Sequence, residues 1–484
     1  FRSMKIAIVH YHLQPGGVTR VIENTNQAWE ENGNDIQAVA ISGRPYPGDQ
    51  LPDTRVVEGL DYASPEDAID PQVLTNRLKE STKDALGQSP DLWHIHNHSL
   101  GKNPSLTAAV SILAESGERI LLHPHDFAED GRPGNYLSLS QVYQGAYPTG
   151  PNIHYAALNQ RDRGFLAHML KDSPSPVHLL ANAVPPSTPF SAPQGRNTFG
   201  LPENLLLYPV RAVRRKNLGE LALLASSHHD FHFANSLGPT NPEFTPIFEE
   251  WKQFGKELNL PLTYGLGEHT DATFPEMVGH AQSILSVSVA EGFGLGFLEP
   301  WTFGKGLCGR NLPEITSDFA ELGVSLSNLY ERLPIPLDCI PSVTELKETI
   351  QSALEKFYPS YQQDLPEDGT ELAFESMVEN DSIDFGRLDE SNQQAIIRTV
   401  SHSSDLQHGI QRHAGLEVLD NDTIDRNRHA VAEQFSLSSY ADRTMKIYQE
   451  LLDTEDTTGC QFANGQLLLD QYLCPTRLNL LRTS

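Results

Sequence analysis

The chain has 484 residues, enough for two or three domains that each bury a core. Its 63 acidic and 35 basic side chains give a formal charge of −28, which argues against nucleic acid or an anionic membrane as partner, since both reward positive surface. No stretch approaches the roughly 18 consecutive apolar residues of a membrane span, and the four cysteines, Cys308, Cys339, Cys460 and Cys474, form no C-x-x-C pair, against a disulfide scaffold or a zinc ribbon.

Phe1-Arg2-Ser3 reads as a cloning scar ahead of a native start at Met4, with no signal-peptide layout behind it, so a cytoplasmic home is expected. From Met4 the order is strand, turn, helix. KIAIVHYH is a buried-strand pattern, Gly16 and Gly17 a turn, and residues 18–32 a helix with Val18, Val21, Ile22, Thr25, Ala28 and Trp29 on one face and Gly33 as its stop. IQAVAIS, LWHIHN, RILLHPH, HYAAL and VHLLAN follow as strands, most with a helix-length segment between them. That repetition predicts a parallel, doubly wound sheet over residues 4–184.

Residues 185–204, rich in Pro, Ser and Gly, read as a connector. A second α/β series, LLLYPV, FHFANS, LPLTYGL and SILSVSVA, opens a domain expected to cover 205–450. Within it, about 358–394 is acidic and weakly patterned and reads as an insertion with little core. Residues 451–484 are expected to end in an apolar helix that packs back on the first domain. The predicted fold class is therefore α/β, two tandem Rossmann-like domains with ligands in the cleft between them.

EGFGLGFLE, Glu291 to Glu299, carries the most chemistry. It follows a buried-strand run and precedes Pro300, which suits the first turn of a helix, so its amides and the helix dipole favour an anion. A dinucleotide fingerprint fails because position 297 is Phe297, and a glycosidase pair fails because nothing fixes the separation of the two acids. A nucleotide sugar fits better: amides take its diphosphate, and a carboxylate reads hydroxyls at each neutral end.

With Glu291 and Glu299 eight apart, the stretch resembles the E-x7-E signature of retaining glycosyltransferases of the GT-B fold, family 4 type. That resemblance implies that Glu299 holds the ribose hydroxyls, Glu291 faces the transferred sugar, and Phe293, Gly294 and Leu295 lie along the phosphates. Arg211 and Lys216 in RAVRRKN match the R-x4-K motif of that family and would neutralise the leaving diphosphate. Gly16 and Gly17 match its glycine pair, where the absence of a Cβ lets a donor approach. LLANAVPPS resembles its Asn-Gly-Val stretch, with Ala183 in place of glycine. GRNLPEIT keeps Pro-Glu-Ile but puts Arg310 and Asn311 where small residues are usual, which bears on donor or acceptor specificity.

Two strand ends are rich in histidine: His94, His96 and His98, then His123, His125 and Asp126. His125 matches a family histidine that reaches the donor sugar, and His98 is expected to line the acceptor side. H-x-H on a strand also suits a metallohydrolase, because alternate residues share a face, but the expected third-strand carboxylate is not evident. The DND of Asp420 to Asp422 imitates a metal motif in a polar loop and reads as a decoy.

The expected activity is thus metal-independent hexosyl transfer from a UDP-, GDP- or ADP-sugar to a small polar, lipid or glycan acceptor, with no cofactor besides the donor and no site metal. His125, Glu291, Arg211 and Lys216 would be catalytic. Three alternatives remain: a phosphorylase of the same fold using inorganic phosphate or a sugar phosphate, a metal-dependent hydrolase built on the histidines, and a sugar-binding protein with an inactive cleft.

Overall fold

In the computed structural model, residues 3–191, 197–455 and 457–483 are described. Phe1 and Arg2 of the expected scar and residues 192–196 of the expected connector lie outside them. The chain divides into two compact units, Phe1–Pro185 with Glu433–Leu473, and Pro186–Ala432 with Cys474–Ser484.

Unit 1 is built on strands β1 (Met4–Val9), β2 (Ile36–Ser42), β3 (Thr54–Val56), β4 (Leu92–His96), β5 (Ile120–His123), β6 (Pro148–Thr149), β7 (Ile153–Ala157) and β8 (Val177–Leu179). Seven of them form a parallel sheet in the order β3-β2-β1-β4-β5-β7-β8. β6 instead pairs antiparallel with Gln461–Phe462. Strand alternation divides the core in two. Ile6, Ile8, Leu92 and Leu121 pack on one face, and Ala7, Val9, Trp93 and Ile95 on the other.

The first face is covered by the helices Gly17–Glu31 and Leu437–Leu452, where the Trp29 indole donates to Thr444 Oγ1 at 3.2 Å. This changes the expected domain division. Residues 433–450 belong to unit 1, because Leu437, Tyr440, Ile447 and Tyr448 form an apolar stripe that the sheet needs on that face. The final apolar helix is also shorter than expected. It spans Gln466–Tyr472, in unit 1, and the 474–484 segment continues in unit 2 with two 3₁₀ turns.

Unit 2 carries β9 (Leu205–Arg211), β10 (His232–Leu237), β11 (Leu262–Thr263), β12 (Ser283–Ser286) and β13 (Leu307–Gly309), parallel in the order β11-β10-β9-β12-β13. A second, antiparallel sheet joins β14 (Pro334–Pro336), β15 (Val378–Glu379) and β16 (Ser382–Asp384). Two of its strands come from the supposed insertion, which is not poor in core: Met377, Ile383, Phe385 and Leu388 are fully buried. Its pattern is hidden because a short helix, a hairpin and a 3₁₀ turn succeed one another too quickly for any single period to persist. Among the described residues, no helix is long and apolar enough to cross a membrane.

Candidate functional site

In unit 2 the basic loop after β9 and the glycine loop after β12 emerge from neighbouring strands and are bonded together. The Lys216 ammonium donates to Glu291 Oε1, and Arg215 lies 3.7 Å from Glu291 Oε2 while donating to Ala290 O at 3.2 Å. The Val289 amide returns a bond to Arg215 O at 3.0 Å. Burial lowers the Lys216 pKa and the Glu291 carboxylate works against that, which keeps the ammonium beside an acid in a half-enclosed place. Asn217, in the left-handed region at φ 57, ties the loop to Val287 O at 3.1 Å. Arg214 faces elsewhere, held by Glu390 at 2.7 and 2.9 Å and by the Thr483 carbonyl.

Arg211 ends β9, exposed, and donates to Gly238 O at 3.0 Å; it does not bond to Lys216 or Glu291. The glycine loop runs through a 3₁₀ turn, Leu295–Phe297, before a four-residue helix that begins at Glu299. Gly294 needs to be glycine, since it sits at φ 90 and a Cβ there would meet Ile315 Cγ2 at 2.7 Å. Phe293 is buried edge-on to Phe319, Leu295 is exposed, and burial raises the pKa of the half-buried Glu299 carboxyl. No other described residue bonds to that carboxyl.

Arg310, expected to bear on specificity, has a different place. Its guanidinium is buried between Glu220 (Nε–Oε1 2.9 Å, Nη2–Oε2 2.9 Å) and Asp384 (Nη1–Oδ2 3.0 Å, Nη2–Oδ1 2.9 Å), and Tyr330 Oη also donates to Glu220. Burial opposes the arginine charge, but the two carboxylates outweigh it and raise its pKa; the same cation holds Asp384 below the usual range against its own burial. The residue thus clamps the second sheet to the first and is closed off from any ligand.

In unit 1, Gly16 caps the helix Gly17–Glu31 in an extended conformation, φ 171, at the rim of a cavity of about 260 Å³ also lined by Thr19, Arg20, Glu23 and Tyr46. An added Cβ would meet only Gln14 O, at 3.8 Å, at Gly16 and nothing at Gly17. The protein's own packing therefore does not require either glycine.

Alternation along β4 and β5 puts His94, His96, His123 and His125 on the face covered by Leu437–Leu452. His94 Nδ1 meets Tyr448 Oη at 2.7 Å, His94 Nε2 meets His123 Nδ1 at 3.0 Å, and His96 Nδ1 meets His125 Nε2 at 2.8 Å. Burial lowers every one of these pKa values, His94 and His125 to about 3, so the row is neutral at pH ~7. His98 is fully buried, bonding Ala146 O at 2.8 Å, which removes it from the acceptor role expected of it. Asn97, at φ 53, accepts from the amides of His125 and Asp126 at 2.7 and 3.2 Å and so sets the turn that presents His125.

Asn97, not singled out in the sequence, does carry a local signal in its place between His96 and His98 at a strand end, whereas none announces Tyr448, Arg215 or the Glu220–Asp384 pair. Asp420 accepts from the Thr423 amide at 2.7 Å where the helix Asn421–Gln434 begins, so the DND serves as a helix start.

No family model matches the chain. It is 24% identical over 380 residues, 72% of each chain, to the mannosylglucosyl-3-phosphoglycerate synthase of Petrotoga mobilis. Among solved structures it resembles the sucrose-phosphate synthase of Thermosynechococcus elongatus (TM-score 0.52, 13% identity, 93% of this chain and 99% of that one). The HepE protein of Anabaena, solved with UDP, is similar too (TM-score 0.54, 11% identity, 92% and 100%). The fold, two α/β units on parallel sheets, is that of the GT-B glycosyltransferases.

Proposed function

We propose that this chain is a retaining, metal-independent glycosyltransferase that moves a hexose from a nucleoside diphosphate sugar to an acceptor hydroxyl. The observation that carries the reading is the bonding of Lys216 and Arg215 to the Glu291 end of the glycine loop, which gathers cations, an acid and the backbone of that loop at the ends of two adjacent strands. Arg211, Lys216 and the amides of Phe293, Gly294 and Leu295 take the diphosphate, Glu299 the ribose hydroxyls, and Gly16 and Gly17 admit the donor. The relative from P. mobilis, named for making a phosphorylated glycoside, favours the small polar acceptor over lipid or glycan. HepE, solved with UDP, makes a uridine donor the first to test.

The chemistry is a front-face displacement. The bond from the anomeric carbon to the phosphate oxygen breaks, the bond to the acceptor oxygen forms on the same face, and the acceptor proton passes to the departing phosphate. Cations that strengthen their hold as charge gathers on the phosphate lower the barrier. Neutral His125 orients the sugar. When His96 Nδ1 donates to His125 Nε2, the remaining proton sits on His125 Nδ1, ready to bond a sugar hydroxyl. The hydrolase alternative loses ground because His94, His96 and His123 are at most 1% exposed, which keeps a substrate from reaching them.

Nucleoside diphosphate release by Arg211→Ala tests the reading. Arg211 is exposed, so the variant should fold normally and lose roughly 10²- to 10³-fold in turnover, as for loss of one preorganised charge contact. Near-normal release would reject the assignment. A thermal-shift panel of UDP-, GDP- and ADP-sugars identifies the base, since a ligand that binds only the folded state raises the melting point.

A further inference from the structure

The proposed transfer uses one histidine of the buried row and leaves the others without a task. We propose that His94, His96 and His123 form a structural binding site for one divalent first-row transition-metal ion, zinc being the best fit. One ring nitrogen from each of the three lies within 4.8 Å of the others, and the row comes from two adjacent strands in which His96 stands opposite His123. Zinc bound at about 2.0–2.1 Å in a tetrahedron sets its ligand nitrogens about 3.4 Å apart, so side-chain adjustment well short of a strand shift closes the site.

Three further observations fit. First, two of the three outer nitrogens are already served: His94 Nδ1 faces Tyr448 Oη at 2.7 Å and His96 Nδ1 faces His125 Nε2 at 2.8 Å, the arrangement by which partners orient metal-ligating imidazoles. Second, hydrogen bonding alone leaves the row short of a partner. His94 Nε2 and His123 Nδ1 share one proton, while buried His123 Nε2 has no partner. A polar atom so placed is costly; an ion on His123 Nε2 would give it a partner, whereas an ion on Nδ1 would take the place of the shared proton. Third, the donors are neutral nitrogens, and among the described residues no carboxylate or thiolate joins the group. Magnesium and calcium want oxygen, whereas imidazole suits zinc and its neighbours. A cation on His96 Nε2 would also keep the Nδ1 proton pointing at His125 and so set the tautomer of that ring.

The test uses the full chain, stripped with a chelator and titrated with cobalt(II), whose visible absorption reports tetrahedral coordination. One equivalent per chain, a tetrahedral-type band, a raised melting point and displacement by zinc are expected. His96→Gln and His123→Gln should abolish the band. His154→Gln should keep it, although His154 belongs to another histidine pair of the same unit, with His154 Nδ1 2.9 Å from His178 Nε2. X-ray absorption on the zinc-loaded wild-type chain should count three imidazoles, and it decides the matter even where a variant fails to fold. Substoichiometric binding, fewer than three imidazoles, or full binding by both folded variants overturns the site. None of these readouts measures sugar transfer, so failure here leaves the proposed function standing.

Discussion

The two units build the same kind of parallel sheet and bury polar groups in it by opposite means. Unit 1 fills the ends of β4 and β5 with imidazoles that are kept neutral by burial. Unit 2 fills the space between its two sheets with full charges, Arg310 against Glu220 and Asp384, every guanidinium nitrogen bonded. The first arrangement avoids the cost of a buried charge, and the second offsets that cost with bidentate geometry. The two units should therefore fail under different insults.

The largest expected effect is in unit 2. Arg310→Met leaves two buried carboxylates without their cation and should cost on the order of 3–5 kcal/mol in denaturant unfolding. Adding Glu220→Gln and Asp384→Asn should recover much of that loss, because no charge is then stranded. If Arg310→Met alone is nearly neutral, the ion cluster is not what joins the two sheets.

Acid should strike unit 1 first. Each buried imidazole has a folded pKa below its unfolded value of 6.5, so its stabilising neutral state is fully present above that pH. It is lost as pH falls from 6.5 towards about 3 for His94 and His125. At about 1 kcal/mol per pH unit for each group, even two of them make a loss on the order of 3 kcal/mol by pH ~5. Asp384 is held below its usual 3.8, so the unit 2 cluster begins to fail only below that range. Hydrogen exchange at pH ~5 should open β4 and β5 before β9 and β12; the reverse order would contradict the neutral-row reading.

The contrast also separates what could be read in the sequence from what could not. The strand-end position of EGFGLGFLE follows from a buried run before it and Pro300 after it, both local signals, and the strand ends bearing His94, His96 and His123 were equally plain. The meaning of Arg310 was not. Its acids stand 90 and 74 residues away, one inside the apolar helix Leu218–Ser227 and one in a stretch whose acidity hid Phe385 and Ile383. A pairing between distant segments leaves no periodicity behind, and the same holds for Tyr448 on His94, 354 residues apart. Side chains that meet only through the tertiary fold are where motif reading assigned a ligand role to a structural residue.

Two glycines sharpen the comparison at smaller scale. Gly294→Ala meets both a φ of 90 and a contact with Ile315, so it should cost about 2 kcal/mol, measurable by denaturation whether or not the protein is a transferase. Gly16→Ser should do the reverse. Its extended backbone suits any residue, serine is a better helix cap than an uncapped glycine, and nothing lies within 3.8 Å of the new Cβ, so stability should stay within about 0.5 kcal/mol or rise. Turnover should nonetheless fall at least tenfold, because the hydroxymethyl group occupies the space the proposal reserves for the donor. A Gly16→Ser protein that is stable and fully active would mean that the open space beside the first helix serves no donor, and the role given to Gly16 and Gly17 would have to be withdrawn while the fold and the Arg310 cluster stood untouched.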